Sequence, residues 1–242
     1  MAIIKLDKKG SSIKKGSSIK KGSSMEWTRN ILIQDREHAG KFLSKRLIHF
    51  ANATNAVVVG IPHGGVCVAS AIADALNLPL EVMPCRKIKH PVDKSRNIGS
   101  VSANEACVHD CPYDVPQDYI YHQMALIRHA IDHENRFYYQ EIEPTMLTGK
   151  TVILVDDILQ SSDTMMACLR SIKKENPLRV IVAVPIVGVE AGRRVKSEAD
   201  DIVFLQMEHS IGSGKEYFFN FPRVDDIKVR EILNKSRALK TV

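Results

Sequence analysis

Residues 151–164 read Thr-Val-Ile-Leu-Val-Asp-Asp-Ile-Leu-Gln-Ser-Ser-Asp-Thr, and this stretch constrains the fold more than any other. Five β-branched or aliphatic residues without a polar break suit a strand buried on both faces. The run stops at two adjacent carboxylates, Asp156 and Asp157, and a hydroxyl-rich turn follows. Met165, Met166, Leu169 and Ile172 then recur at helical spacing. Two acids and several small polar residues therefore sit where a parallel strand hands over to a helix, the place where open α/β sheets bind ligands.

Similar alternation runs through the chain. Strand-like segments lie at Ala56–Ile61, Leu80–Pro84, Ile98–Val101, Thr151–Val155, Arg179–Val184 and Ile202–Leu205. Helical patterns lie near 35–52, 66–76, 117–142, 164–175, 189–198 and 225–238. The expectation is a single α/β domain with a mainly parallel central sheet flanked by helices. The 218 residues from Met25 onward are enough for one such core.

Composition matters here because the charge is uneven. Residues 1–24 repeat Lys-Lys-Gly-Ser-Ser three times and carry seven Lys against one Asp, while the rest balances 27 basic against 27 acidic residues. The basic pI thus belongs to the leader and is no argument for nucleic acid. The leader looks like an appended tag or linker, with the natural start at Met25; a natural basic arm is the other reading. Residues 25–242 form the expected domain. No apolar run approaches a membrane span and no secretory signal is visible, so neither a membrane nor a nucleic-acid partner is expected. Cysteines 67, 85, 107, 111 and 168 are odd in number and scattered, which suits a reducing, cytoplasmic setting.

The turn after Asp157 suits a sugar phosphate. Unsatisfied N–H groups at a helix start attract phosphate, and the hydroxyls of Ser161, Ser162 and Thr164 add to that cradle. Asp156 and Asp157 can accept hydrogen bonds from vicinal sugar hydroxyls, directly or through magnesium. A second Gly-rich turn, Pro62-His63-Gly64-Gly65, follows the first strand and offers another anion cradle. The alternative for each turn is structural: acids capping a bend, glycines joining strand to helix. A phospho-acceptor receiver domain also places paired acids after an apolar strand. It needs them on the first strand and an acceptor Asp on a later one, and here the next strand ends at Pro185 and Ile186.

Four ordered blocks carry a family resemblance: Gly60-Ile-Pro-His-Gly-Gly-Val66, Arg86-Lys-Ile88, Ile98-Gly-Ser-Val101 and the Asp156–Thr164 turn. Together they resemble type I phosphoribosyltransferases, in particular an uncharacterised branch of that family, over residues 29–237. The resemblance implies a pentosyltransferase of nucleotide metabolism. It would use 5-phosphoribosyl diphosphate and magnesium, with an unidentified nitrogenous base as acceptor, and would commonly pair as a homodimer. It assigns Asp156 and Asp157 to the ribose diol and, indirectly, to the metal; Ser161, Ser162, Asp163 and Thr164 to the 5-phosphate, with Gln160 beside them as a further substrate-binding residue; Pro62, His63, Gly64 and Gly65 to the diphosphate. Arg86 and Lys87 would offset charge on the departing diphosphate, and Lys89–Arg96 reads as a mobile loop over the reacting centre. The resemblance also implies a small hood from loops and the C-terminal tail, in which Tyr217 and Phe221 of the block Gly212–Phe221 would face the acceptor base; the alternative for these aromatics is that they simply pack the core.

The chain departs from the family pattern at several positions. His63 stands for Arg, Ser162 for Gly, and Gln160 for a residue that in purine-using members can act as a base. Asp163 would place a charge near the phosphate, a repulsion of about 1 kcal/mol at ~4 Å in water and about 4 at an effective dielectric of 20. It can instead turn away toward the helix. These departures keep a second reading open, a non-catalytic ribosyl-phosphate sensor. A third constellation, Cys107, His109 and Cys111 with His122, His129 and His133, carries zinc-ligand chemistry at a spacing that is not that of a usual finger.

Overall fold

The computed structural model describes residues 5–6, 12–13, 33–108, 114–140 and 142–238. The expected leader over residues 1–24 lies almost wholly outside these, apart from a two-residue antiparallel pairing of Lys5–Leu6 with Ser12–Ile13. His109 and Cys111 lie outside them too.

The domain begins with helix α1 (Arg36–Arg46), whose cap Asp35 accepts a hydrogen bond from His38 N at 2.8 Å. Strand β1 (Ala56–Gly60) then leads into α2 (Gly64–Leu76) and β2 (Leu80–Val82). A small sheet follows, made of β3 (Cys85–Lys89), β4 (Asn97–Ser102) and β5 (Ala106–Val108), before the long α3 (Gln117–Tyr139). The second half runs β6 (Thr151–Val155), β7 (Ile158–Leu159), α4 (Asp163–Lys174), β8 (Arg179–Gly188), α5 (Val189–Lys196), β9 (Asp201–Glu208) and α6 (Asp226–Ala238).

The central sheet is parallel in the order β9-β8-β6-β1-β2, with β7 also paired to β8. Period 2 sorts each strand's side chains between two cores. Val57, Val59, Val152 and Leu154 pack against Met165, Met166, Leu169 and Ile172 of α4 and Val195 of α5. Ala56, Val58, Ile153 and Val155 pack against Val66, Ala69 and Ile72 of α2, Tyr138 and Tyr139 of α3, and Val229 and Leu233 of α6. β6 is buried along its whole length, as an unbroken apolar run requires.

Two consequences position the site. The chain moves outward from β1 to β2 on one side and from β6 to β8 and β9 on the other. α2 and α4 therefore leave adjacent strands toward opposite faces. Gly60, Val155 and Ala183 are in register at the carboxyl ends, so the β1–α2 and β6–α4 turns meet at a crevice.

The structure corrects the sequence reading of the strands in two places. β8 does not stop at Val184 but runs through Pro185 to Gly188. The β8–β6 ladder ends at Ala183, the β8–β7 ladder starts at Ile186, and the β9 register skips Pro185. A proline is tolerated there because the ladders leave that residue out. Ile98–Val101 is not a central strand but lies in the antiparallel sheet β3-β4-β5, which packs Ile88, Ile98 and Val101 against Ile120 of α3. In the segment expected as a loop, Lys89–Arg96, Lys89 ends β3 and the rest is the hairpin connection to β4, closed by a hydrogen bond from His90 N to Arg96 O at 3.0 Å.

The hood is built from both ends of the domain. Ile33 N donates to Tyr217 O and Phe219 N to Ile33 O, both at 2.9 Å, and Ile33, Ala39, Ile186, Ile211, Tyr217 and Phe218 form its core. Among the described residues, no helix is long and apolar enough to cross a membrane.

Candidate functional site

At the crevice lies a cavity of about 370 Å³, lined by Ile61, Pro62, Cys85, Lys87, Asp156, Asp157, Ile158, Gln160, Ser161, Thr164 and Gly212–Gly214. It brings together the acid pair, the hydroxyl turn, the start of the Gly-Gly turn and one cation, Lys87. A larger groove of about 760 Å³ lies between α1, α2 and α6, away from the hydroxyl turn. The smaller cavity is the site candidate because it holds the convergent polar groups.

The acid pair is half-buried. Asp156 Oδ1 accepts from Asp157 N at 2.8 Å, which bends the chain immediately after β6. Burial pushes the Asp156 carboxyl well above the usual carboxylate range, and the neighbouring charge of Asp157 adds to the effect. Asp157 Oδ2 accepts from Arg36 Nε at 2.8 Å.

The glycines of the first turn have a packing reason. A Cβ on Gly64 would overlap the Asp157 carboxylate, and one on Gly65 would lie 2.8 Å from Val155 O and 2.9 Å from Asp156 Cα. Only glycine lets the first turn of α2 press against the acid pair. The Pro62–His63 peptide bond is cis. His63 turns from the cavity and its Nε2 lies 3.0 Å from Asp226 Oδ1, which also accepts from Tyr138 Oη. Burial raises the Asp226 carboxyl, but the hydrogen bonds from Tyr138 and His63 outweigh it and hold the group below its usual range.

Arg86 and Lys87 were expected to act together, and the structure separates them. They are consecutive on β3, so their side chains leave opposite faces of the small sheet. Cys85 and Lys87 line the cavity, while Arg86 donates through Nε to Glu134 Oε1 at 2.6 Å, beside the buried Ile88. Arg86 is therefore a structural partner of α3 rather than a cavity cation.

In the turn itself, Gln160, Ser161 and Thr164 line the cavity, and Gln160 Nε2 donates to Ile211 O at 2.9 Å, tying the turn to the hood. Ser162 and Asp163 are buried and do not line it. Asp163 accepts from Ser161 Oγ at 3.2 Å and lies 3.9 Å from Arg194 of α5. One Asp163 oxygen is thus turned toward Arg194, while the other stays within hydrogen-bond distance of the cavity-lining Ser161. Tyr217 is also buried, packed among the hood residues instead of facing an acceptor.

For magnesium, the donor set fits: carboxylate oxygens are hard ligands, and this cation commonly binds through one or two carboxylates plus substrate oxygens and water. Among the described residues, no group of three or more His, Cys, Asp or Glu side chains could hold a metal ion by itself. Cys107 is buried in the core, and His122, His129 and His133 are exposed along α3.

Sequence reasoning missed Arg36 and Cys85, and within the block Gly212–Phe221 it chose Tyr217 instead of the cavity-lining Gly212–Gly214. Arg36 did leave a signal. A cation in the first turn of a helix opposes the helix dipole, so it needs a nearby anion to be there. The anion, Asp157, is 121 residues away in sequence.

The phosphoribosyl transferase domain model matches residues 29–217. The chain is 26% identical over 214 residues to "Putative phosphoribosyl transferase Rv0571c" and to "Putative phosphoribosyl transferase MT0597", both of Mycobacterium tuberculosis. The match covers 85% of this chain and 47% of each relative, so the chain spans about half their length. Among solved structures, TT1426 from Thermus thermophilus is 31% identical, with a TM-score of 0.71, covering 85% of this chain and 99% of that one. With most of its length matched by that family model and its cavity at the switch point, the chain belongs to the phosphoribosyl transferase domain family.

Proposed function

We propose that the protein binds 5-phosphoribosyl diphosphate with magnesium and transfers the phosphoribosyl group to a nitrogenous base, releasing diphosphate. The observation that carries this reading is the cavity shared by the acid pair, the hydroxyl turn and Lys87. Asp156 and Asp157 accept from the ribose 2- and 3-hydroxyls. Thr164 and backbone N–H groups at the start of α4 take the 5-phosphate, Ser161 joins them once its hydroxyl swings from Asp163, and Gln160 braces the turn. Pro62 and Lys87 face the diphosphate, Gly64 and Gly65 let their turn pack against the acid pair, and His63 holds it in place through Asp226.

In the reaction the C1–oxygen bond to diphosphate breaks, diphosphate keeps the electron pair, and a ring nitrogen of the base forms the new bond to C1 and gives up its proton. The positive charge developing at C1 is stabilised by fixed carboxylates, and Lys87 meets the charge that accumulates on diphosphate. Magnesium, held through ribose hydroxyls or water by Asp156 and Asp157, would supply further charge neutralisation on the diphosphate. Little covalent work falls to the protein; orientation and exclusion of water do most of it.

A second reading, a ribosyl-phosphate sensor without turnover, is favoured by one observation. His63 and Arg86 are engaged by Asp226 and Glu134 rather than facing the cavity. Calorimetry with magnesium and the diphosphate donor, followed by a diphosphate-release assay over a panel of nucleobases, separates the two. Binding with release on any base supports the transferase, and binding without release supports the sensor. Absence of binding sinks both.

A further inference from the structure

We propose that Arg36 is a positioning residue that holds one oxygen of Asp157 and fastens the acid pair to the Phe221–Pro222 turn of the hood. The inference rests on the donor-binding role given above to Asp157.

Arg36 lies in the first turn of α1 with its side chain only 10% exposed. A buried guanidinium at the positive end of a helix dipole is disfavoured unless other groups offset it. Three groups do so. Nε donates to Asp157 Oδ2 at 2.8 Å, one terminal nitrogen donates to Pro222 O at 2.7 Å, and the guanidinium carbon lies 3.7 Å from the centre of the Phe221 ring. Phe221 in turn stacks on Phe218 at 5.0 Å between ring centres, and Phe218 pairs with Ile33 just before α1. One side chain therefore spans α1, the β6–α4 turn and the hood.

The arrangement fixes the direction of Asp157. With Oδ2 taken by Arg36, the carboxylate cannot rotate freely, and its other oxygen is left to address the cavity. The packing of Gly64 supports the same conclusion, because a Cβ there would meet both the Asp157 carboxylate and Arg36 Nε, the latter at 2.7 Å. Lysine cannot reproduce the site, since it lacks both the planar fork and the face that stacks on Phe221. A role limited to supplying charge would tolerate lysine; a positioning role does not.

The test uses the full chain in seven forms: wild type, Arg36→Met, Arg36→Lys, Phe221→Leu, Asp157→Asn, and the double variants Arg36→Met with Asp157→Asn and Phe221→Leu with Asp157→Asn. Calorimetry measures the affinity for the diphosphate donor with magnesium. Arg36→Met is expected to weaken binding by at least about tenfold, the scale of one charge-assisted hydrogen bond. Arg36→Lys is expected not to restore it. In the Asp157→Asn background the same Arg36 change is expected to cost less than about twofold, because the group it acts through is gone. Phe221→Leu keeps the question open to measurement if Arg36→Met fails to fold, and is expected to weaken binding in the Asp157 background only. A ligand-free reading accompanies these. The Nε–H resonance of Arg36 should be protected from exchange in the wild type and lose that protection in Asp157→Asn.

Equal losses in both backgrounds, or full rescue by lysine, overturn the proposal, as does an unprotected Nε–H in the wild type. A wild type with the protected resonance but no donor binding sinks the phosphoribosyl reading instead, and leaves the brace between Arg36 and Asp157 standing.

Discussion

Asp156 occupies a position that costs stability. Its carboxyl is pushed up by burial and then by the charge of Asp157, so the folded state holds its proton more tightly than the unfolded chain does. For such an acid, stability is fully present below the unfolded value, near 3.8, and is lost as pH rises through the raised folded value. At neutral and alkaline pH the wild type carries that penalty. Asp156→Asn should therefore melt higher than wild type at pH 8, by about 2–4 °C for each kcal/mol released, with the gain shrinking toward pH 4. The same variant should lose donor binding, the exchange of stability for function expected where a site holds strained charge. A variant less stable than wild type at pH 8 would contradict this. Gly64 is constrained in the opposite sense. Gly64→Ala drives a methyl into the Asp157 carboxylate, and overpacking of this kind costs about 1–3 kcal/mol. Chemical denaturation should show that loss, and donor affinity should fall with it.

Among the elements, strand β3 decides which cation reaches the cavity. Lys87→Met should weaken donor binding by about tenfold or more and leave the melting temperature nearly unchanged, since Lys87 lines the cavity and its side chain is exposed. Arg86→Met should do the reverse, lowering the melting temperature because the buried Glu134 loses its partner, with little change in affinity. Calorimetry and thermal unfolding of the two variants check this directly, and equal affinity losses would restore the paired role that the sequence suggested. The sequence hid this alternation for a physical reason. The segment Cys85–Lys89 has one buried apolar residue, Ile88, so its period of two is carried by polar side chains that hydropathy does not register. The unbroken Val-Ile-Leu-Val run before Asp156 was legible because burial on both faces leaves no other composition open to it. Helices α2, α4 and α6 were legible from their spacing for a similar reason. Pro185 misled because a proline normally ends a central strand, and only the gap between two ladders shows why this one does not.

At the scale of the whole molecule, the cavity belongs to three regions that are distant in the chain: the β6–α4 turn, the β1–α2 turn and a hood made from residues near 33 and 211–221. Local patterns reveal the first two, since each is a strand followed by a helix. The third was expected only through the family resemblance and only from the tail; its half near residue 33 shows itself through the pairing of Ile33 with Tyr217 and Phe219. This difference yields a test of whether the hood is part of the site or only part of the fold. Phe218 and Leu233 are both almost fully buried, the first in the hood core and the second on α6 behind the sheet. Truncation to alanine should cost roughly 3–5 kcal/mol at Phe218 and about 2–5 kcal/mol at Leu233. Unfolding alone therefore does not distinguish them. Donor affinity, measured well below both melting temperatures, should. Phe218→Ala removes the ring on which Phe221 stacks and loosens the segment carrying Gly212–Gly214, so binding should weaken severalfold. Leu233→Ala leaves those groups in place and should bind as wild type does. If both variants bind equally well, the hood contributes stability alone, and the acid pair with its hydroxyl turn accounts for donor recognition without it.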